Sequence, residues 1–353
     1  MHRRIPGALL ALTLATLPAA AQRQAQNILL PDVSPRAEVR QAVGMAEIDV
    51  VYCRPAVNDR EVWGALVPWG QVWRTGANEN TVVTLSHDAV VQGSPLAAGS
   101  YGLHTIPTES GWTVIFSNDH NAWGSFAYDE SHDALRVAAS AREAGPQERL
   151  EFRFENLDED SADLVLHWAG LEVPITFTFD ADAITLASIR DQLTGLPQFF
   201  WMGYTQAANW ALQKDLALEE ALGWAETSIQ NEERFENLQV KSQLLEKTGK
   251  SAEAAETMDR ALAIANAAQL HNYGRTLLGQ GDVDGAVAVF RRNVAQNPDA
   301  WFVEVGLARA LSAQGDFAEA AEQMKVSLGK APENQKAYIQ GLVDQLEAGQ
   351  DIN

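Results

Sequence analysis

The chain has 353 residues, with 26 lysines and arginines against 47 aspartates and glutamates, for a formal net charge of −21. That balance excludes a nucleic-acid binder, which needs a basic patch to displace counterions, and it argues equally against docking on anionic membrane surfaces. The single cysteine, Cys53, excludes an intrachain disulfide, so stability must come from core size, and the length suffices for two domains.

The first residues read as a targeting segment. His2, Arg3 and Arg4 give a positive start, Ala8 to Leu17 is apolar, Pro18 breaks the run, and Ala19-Ala20-Ala21 offers small residues for a peptidase. This predicts a signal peptide over 1–21, with Gln22 as the first mature residue and a periplasmic or secreted location. No cysteine follows the cleavage point, which excludes a lipoprotein anchor, and no later apolar run reaches spanning length, so no membrane span is expected.

Residues 32–181 read as a β domain. Val39 to Val43, Ile48 to Tyr52, Thr81 to Leu85, Tyr101 to Ile106, Trp112 to Phe116, Leu150 to Phe154, Leu164 to Trp168 and Val173 to Phe179 alternate or run apolar at strand length. Turn chemistry at Gln92 to Pro95, Ala98 to Ser100, Glu109 to Gly111 and Asn156 to Asp160 separates them. No long helical pattern intervenes, which predicts an antiparallel sandwich or barrel.

From Ala183 the texture is helical. Ile184 to Leu193 precedes a break at Gly195-Leu196-Pro197, and residues 184–353 then repeat. Gly281-Asp282, Ala286, Phe290 and Pro298 recur 34 positions later as Gly315-Asp316, Ala320, Met324 and Pro332. Gly249, Ala254 and Met258 form an earlier copy, and Glu220-Ala221 marks a worn first one. A period of 34, with glycine for the turn and alanine for close helix approach, resembles the tetratricopeptide repeat. Four copies and a final helix near Gln335 to Leu346 would make a short solenoid. The fold class is therefore α+β multidomain: an antiparallel β-sandwich or barrel followed by an α-solenoid of tetratricopeptide-like helix pairs.

The segment richest in chemistry is Val72 to Thr81. It gathers Trp73, Arg74, Thr75, Gly76, Asn78 and Glu79 in a mix that neither an amphipathic helix nor an alternating strand needs. Arg74 carries a five-donor fork suited to a carboxylate, and Gly76 permits left-handed or close-approach backbone. Asn78 and Glu79 can cap, coordinate or act as acid and base. Three readings stand together: Arg74 paired with Glu79 as a lock on the loop, ligand recognition, and catalysis. His104, His120 and His132 are separate in sequence and could converge on zinc; no metal and no cofactor are expected. Among Trp63, Trp69, Trp73, Trp112 and Trp123, core packing competes with stacking on sugar rings, and core is the assignment for Trp63 and Trp112. Cys53 reads as a small buried apolar residue rather than a nucleophile. Phosphate-loop, serine-elbow, zinc-helix and calcium-loop patterns are all incomplete.

Tyr52 to Pro55, Gly64 to Gly70, Val72 to Glu79, Gly99 to Pro107, Trp112 to Asn118 and Trp123-Gly124 resemble the bacterial domain of unknown function 2911 family. Gly195-Leu196-Pro197, Trp201 to Asn209 and Leu244 to Lys247 are similar to its long form. The resemblance implies an exported protein with a β domain followed by helical repeats, and serine rather than cysteine at position 53. It implies no reaction and no catalytic residues.

The functional expectation is an exported binding protein. Arg74, Asn78, Glu79, His104 and Trp123 would line a pocket for a small polar or carbohydrate-like ligand, and the repeats would dock a protein partner. The alternatives are a periplasmic hydrolase or isomerase using Glu79 and His104, and a pure scaffold.

Overall fold

The structure, a computed structural model, describes residues 30–353, so the predicted signal peptide lies outside the described residues. The chain divides into two compact units at Thr185/Leu186, and each is treated by itself.

The first unit is two antiparallel sheets. One has the order β1 (Arg36–Val43), β2 (Ala46–Cys53), β3 (Thr81–Leu85), β6 (Gly99–Thr108), β7 (Gly111–Ser117), β8 (Asp133–Ala139). The other runs β10 (Glu151–Glu155), β11 (Ser161–Trp168), β12 (Leu171–Thr178), β4 (Ala89–Val91), β5 (Ser94–Leu96), with β9 (Arg142–Glu143) also pairing β12. Side-chain alternation fixes which face each residue takes: β2 turns Ala46, Ile48, Val50 and Tyr52 into the core and Glu47, Asp49 and Val51 outward.

The inner faces share one core. Phe116 meets Phe177 edge-on at 6.0 Å, and Tyr52 meets Phe152 at 4.9 Å. The Tyr52 hydroxyl also accepts the Phe152 N–H at 3.0 Å, which satisfies its polar end inside the sandwich. At the same level Trp63 lies edge-on to Trp73, Trp112 and Trp168, while Trp73 stacks on Trp168 at 5.8 Å. Trp63, Trp73 and Trp112 are thus core residues, whereas Trp123 is 62 % exposed.

All eight strands expected from alternation form; β4, β5, β8 and β9 were not anticipated. Gln92 and Gly93 are the two turn residues of the β4–β5 hairpin, both with positive φ, as the twist of such a short hairpin demands. Pro95 sits within β5, which its place at the sheet edge permits.

The second unit is helical. Helix α1 (Ala181–Gln192) spans the division, and a 3₁₀ turn (Leu196–Phe199) opening with Gly195 and Pro197 interrupts the chain. The pairs are α2 (Trp201–Lys214) with α3 (Leu218–Asn231), α4 (Phe235–Lys247) with α5 (Ser251–Ile264), α6 (Ala267–Gly279) with α7 (Val283–Gln296), and α8 (Trp301–Gln314) with α9 (Phe317–Lys330). Helix α10 (Glu333–Glu347) closes the described chain.

The anchors of the repeat behave as their chemistry requires. Gly281 and Gly315 take φ of +83° and +92° in the turns, a conformation that a Cβ opposes. In the worn first copy Asp215 takes the left-handed position instead, at φ 57°. Ala221, Ala254, Ala286 and Ala320 are all buried between paired helices. A polar tie also repeats with the period: Asn293 donates to the Ala267 carbonyl at 2.9 Å, and Ser327, 34 residues on, donates to the Trp301 carbonyl at 2.8 Å. Ser228 makes the same kind of bond to Trp201.

Candidate functional site

The β unit builds its site on the outer face of the first sheet. Because Val50 and Tyr52 point inward, Val51 and Cys53 point out. Register places Arg36 opposite Cys53 and Val82 opposite Val51, so all four share that face. Further along, Gly102 pairs with Val82 and Ser117. A Cβ on Gly102 would stand 2.9 Å from the Asp119 carbonyl oxygen, so the loop after β7 crosses the sheet where only glycine leaves room.

Under this loop lie Ile115 and His104, 0 % and 2 % exposed. His104 Nδ1 is 2.9 Å from Ser125 Oγ, and its ring packs on Tyr128. Burial lowers the His104 pKa to about 4, against an opposing pull from Asp133 and Asp119, so the ring is neutral at pH 7. Tyr128 donates to Asp133 at 2.6 Å and accepts from Arg136 at 2.8 Å; burial and the bond to Asp133 push its phenol up to about 12. His132 bonds Asp119 at 2.6 Å, and that bond raises its pKa.

The Val72 to Thr81 stretch continues the lane of β3 alongside the far half of β6. Trp73 and Thr105 exchange both backbone bonds at 2.8 Å, and the Gly70 N–H reaches the Pro107 carbonyl at 2.8 Å. Thr75 and Asn78 hold the left-handed backbone, at φ 54° and 58°. Gly76 serves close approach instead: its Cβ would meet Thr81 Oγ1 at 2.7 Å. Thr81 Oγ1 donates to the Thr75 carbonyl at 2.9 Å, and Trp73 Nε1 to the Gly76 carbonyl at 3.1 Å, which latches the turn from within.

The five residues singled out from sequence take different places. Arg74 lies against Gly124, whose Cβ would stand 2.6 Å from its Nη1, and its Nε is buried without a partner. Among the described residues no ion pair joins Arg74 to Glu79, so the lock is made by Thr75, Thr81 and Trp73. Asn78 donates to the Ser34 carbonyl at 3.3 Å. His104 is enclosed beneath the loop, and the exposed Trp123 stands on its outside. Glu79 alone of the five lines a cavity of about 300 Å³ bounded by Arg36, Val51, Cys53, Asn80, Val82 and His120.

Glu79 accepts the Cys53 thiol at 3.6 Å, and burial, with some help from the Glu79 charge, raises the thiol pKa. The sulfur is therefore a protonated donor, not a nucleophile. Asn80 is 4 % exposed and ties the loop to the strand through Ala122 and Asp119, while its Oδ1 has no partner. Glu79 and His104 have different surroundings: His104 is not part of the cavity wall. The three histidines likewise bond to separate partners, Ser125, Asn118 and Asp119. Among the described residues no group of three metal-ligating side chains is gathered, and no helix is long and apolar enough to cross a membrane.

The helical unit carries a larger groove of about 600 Å³. His271, Arg275, Trp301, Phe302, Arg309 and Tyr338 line it, and none of its lining residues is acidic. His271 is held edge-on between Phe290 and Phe302, with its Nδ1 unpartnered. Burial and the charges of Arg275 and Arg309 lower its pKa. Arg309 donates to the Ile352 carbonyl at 2.6 Å and to the Tyr338 hydroxyl at 3.0 Å. None of these groove residues was singled out from sequence; three basic or titratable residues at helical spacing in an acidic chain were the available signal.

A two-layer antiparallel sandwich with a walled outer-face cavity, followed by helix pairs of 34-residue period, defines a modular protein built on interaction repeats. Residues 34–177 match the family described as "Protein of unknown function (DUF2911)", and residues 277–346 match the tetratricopeptide repeat. The two matches stand in the order of a DUF2911 long form, the β unit first and the repeats C-terminal. No curated protein matches it.

Solved structures similar to it include YrrB, described as a TPR protein with an unusual peptide-binding site. YrrB is 15 % identical, with 46 % of this chain and 85 % of that chain covered and a TM-score of 0.29. PilF of Pseudomonas aeruginosa is 19 % identical over 42 % of this chain and 68 % of that one, TM-score 0.28. MamA of Desulfovibrio magneticus RS-1 is 20 % identical over 43 % and 97 %, TM-score 0.26.

Proposed function

We propose that this is an exported binding protein whose helical repeats dock a segment of a partner protein and whose β unit recognises a small polar ligand. The observation that carries the first part is the groove: two arginines, a histidine and four aromatic rings, with no acidic side chain, in a chain of net charge −21. Isolated cations on so acidic a chain favour an acidic, aromatic-containing peptide, because complementary potential steers encounter and excludes basic competitors. In the β unit, Glu79 faces the ligand, while Arg74, Asn78 and His104 hold the loops that form the wall. Trp123, exposed beside the cavity loop, is the residue available to stack on an approaching ring. Export rests on residues 2–21, and a mature N-terminus at Gln22 by mass spectrometry checks it.

Fluorescence anisotropy of the full chain against arrayed acidic–aromatic peptides tests the docking role. Arg275→Glu, a change at an exposed groove position, should weaken the best binders about tenfold or more, since it turns attraction into repulsion. Equal binding of charge-reversed peptides, or no binding by any of them, contradicts it.

A further inference from the structure

The outer-face cavity holds two charges of opposite sign, neither of them in an ion pair among the described residues. Arg36 and Glu79 line the same space of about 300 Å³, and among the described residues neither makes an ion pair with the other or with any other side chain. Elsewhere on this face the protein pairs its charges readily: Arg40 with Asp49 on the same two strands, and Arg136 with Asp133 at the far side. Val51 and Val82 add apolar surface to the same lining. The wall adds Asn80, 4 % exposed, whose Oδ1 finds no donor in the fold. A buried acceptor without a donor is uncommon and costs stability unless something supplies a hydrogen. Among the described residues the one donor to Glu79 is the Cys53 thiol, a weak one at 3.6 Å.

We propose that this cavity binds a zwitterionic small molecule of the apolar amino-acid class, with its ammonium at Glu79 and Asn80 and its carboxylate at Arg36. The proposal rests on the small-ligand reading of the β unit and narrows it. Two acceptors in one lining call for a donor ligand, and a carboxylate among them favours a cationic donor, because a charge-assisted bond is about twice as strong as a neutral one. Arg36 then supplies the matching fork for a carboxylate. An aliphatic side chain would cover Val51 and Val82, and the volume lies at the small end of ligand cavities. A neutral sugar would leave both charges without a counterpart.

Isothermal titration calorimetry of the full chain separates the outcomes, using L-leucine, N-acetyl-L-leucine, isoamylamine and glucose as probes. Leucine should bind. Blocking its ammonium, as in N-acetyl-leucine, or deleting its carboxylate, as in isoamylamine, should weaken binding about tenfold or more. Glu79→Gln and Arg36→Gln should each do the same to leucine while leaving the thermal midpoint of the apo protein in place. Equal affinity for leucine and its N-acetyl form overturns the zwitterion assignment. Glucose binding that Glu79→Gln does not change overturns it too, yet retains a small polar ligand in the β unit. No heat from any probe overturns both the assignment and the β-unit ligand reading, leaving the repeat groove untouched.

Discussion

At the scale of residues, the β unit spends its most reactive-looking side chains on holding a loop. His104 is neutral and enclosed, bonded to Ser125, and its low pKa carries a stability consequence. Its folded value of about 4 lies below the ordinary 6.5, so between those values the unfolded chain binds more protons. The fold is therefore fully favoured above pH 6.5 and loses stability as pH falls toward 4, by about 3 kcal/mol in all. His104→Asn should remove most of that loss. Urea unfolding of both proteins at pH about 7 and about 4.5 checks it, and an identical loss in the two would contradict it. Glu79 was legible because a carboxylate in a polar signature stretch invites attention. Arg36 and Asn80 were not: Arg36 sits in an ordinary alternating strand, and the missing partner of Asn80 exists only once the loop after β7 is laid across Gly102. An Arg74–Glu79 lock was one of three readings the stretch allowed, because a guanidinium and a carboxylate in one loop commonly pair. The latch is instead the Thr75 carbonyl with Thr81.

At the scale of elements, glycine marks the places where one element crosses another. Phe290 on α7 fits between Gly274 on α6 and Gly306 on α8; a Cβ at either would stand 2.7 Å and 2.4 Å, respectively, from its ring. Gly306→Ala should destabilise the helical unit by about 1–3 kcal/mol through overpacking of a fully buried ring, measured as a shift of the denaturant midpoint. Gly102→Ala should instead act on the cavity, pushing the Asp119 carbonyl away and weakening ligand binding more than it lowers the unfolding midpoint. A midpoint shift as large as that of Gly306→Ala, with binding retained, would contradict this. Strand legibility followed from burial: the long strands alternate because one face is covered. The three-residue β4 and β5 are too short to show a period, and β8 places alanine at Ala134 and Ala138 on its exposed face, which blurs the contrast.

At the scale of the whole molecule, the repeat was legible because stacking forces the same small residues to the same offsets, and Ala254, Ala286 and Ala320 are buried in three successive pairs. The groove was not, since its character depends on which charges face it and not on the period. Two arginines, Arg275 and Arg309, share one lining with no acidic side chain in a chain of net charge −21, and the proposed acidic segment follows from that charge pattern. Hydrogen exchange of the full chain, with and without an acidic–aromatic peptide found by anisotropy, tests this most directly. The account predicts slowed exchange in α6 and α8, no change in the strands, and loss of the effect in Arg275→Glu. Protection confined to the β unit, or an unchanged effect in Arg275→Glu, would contradict it.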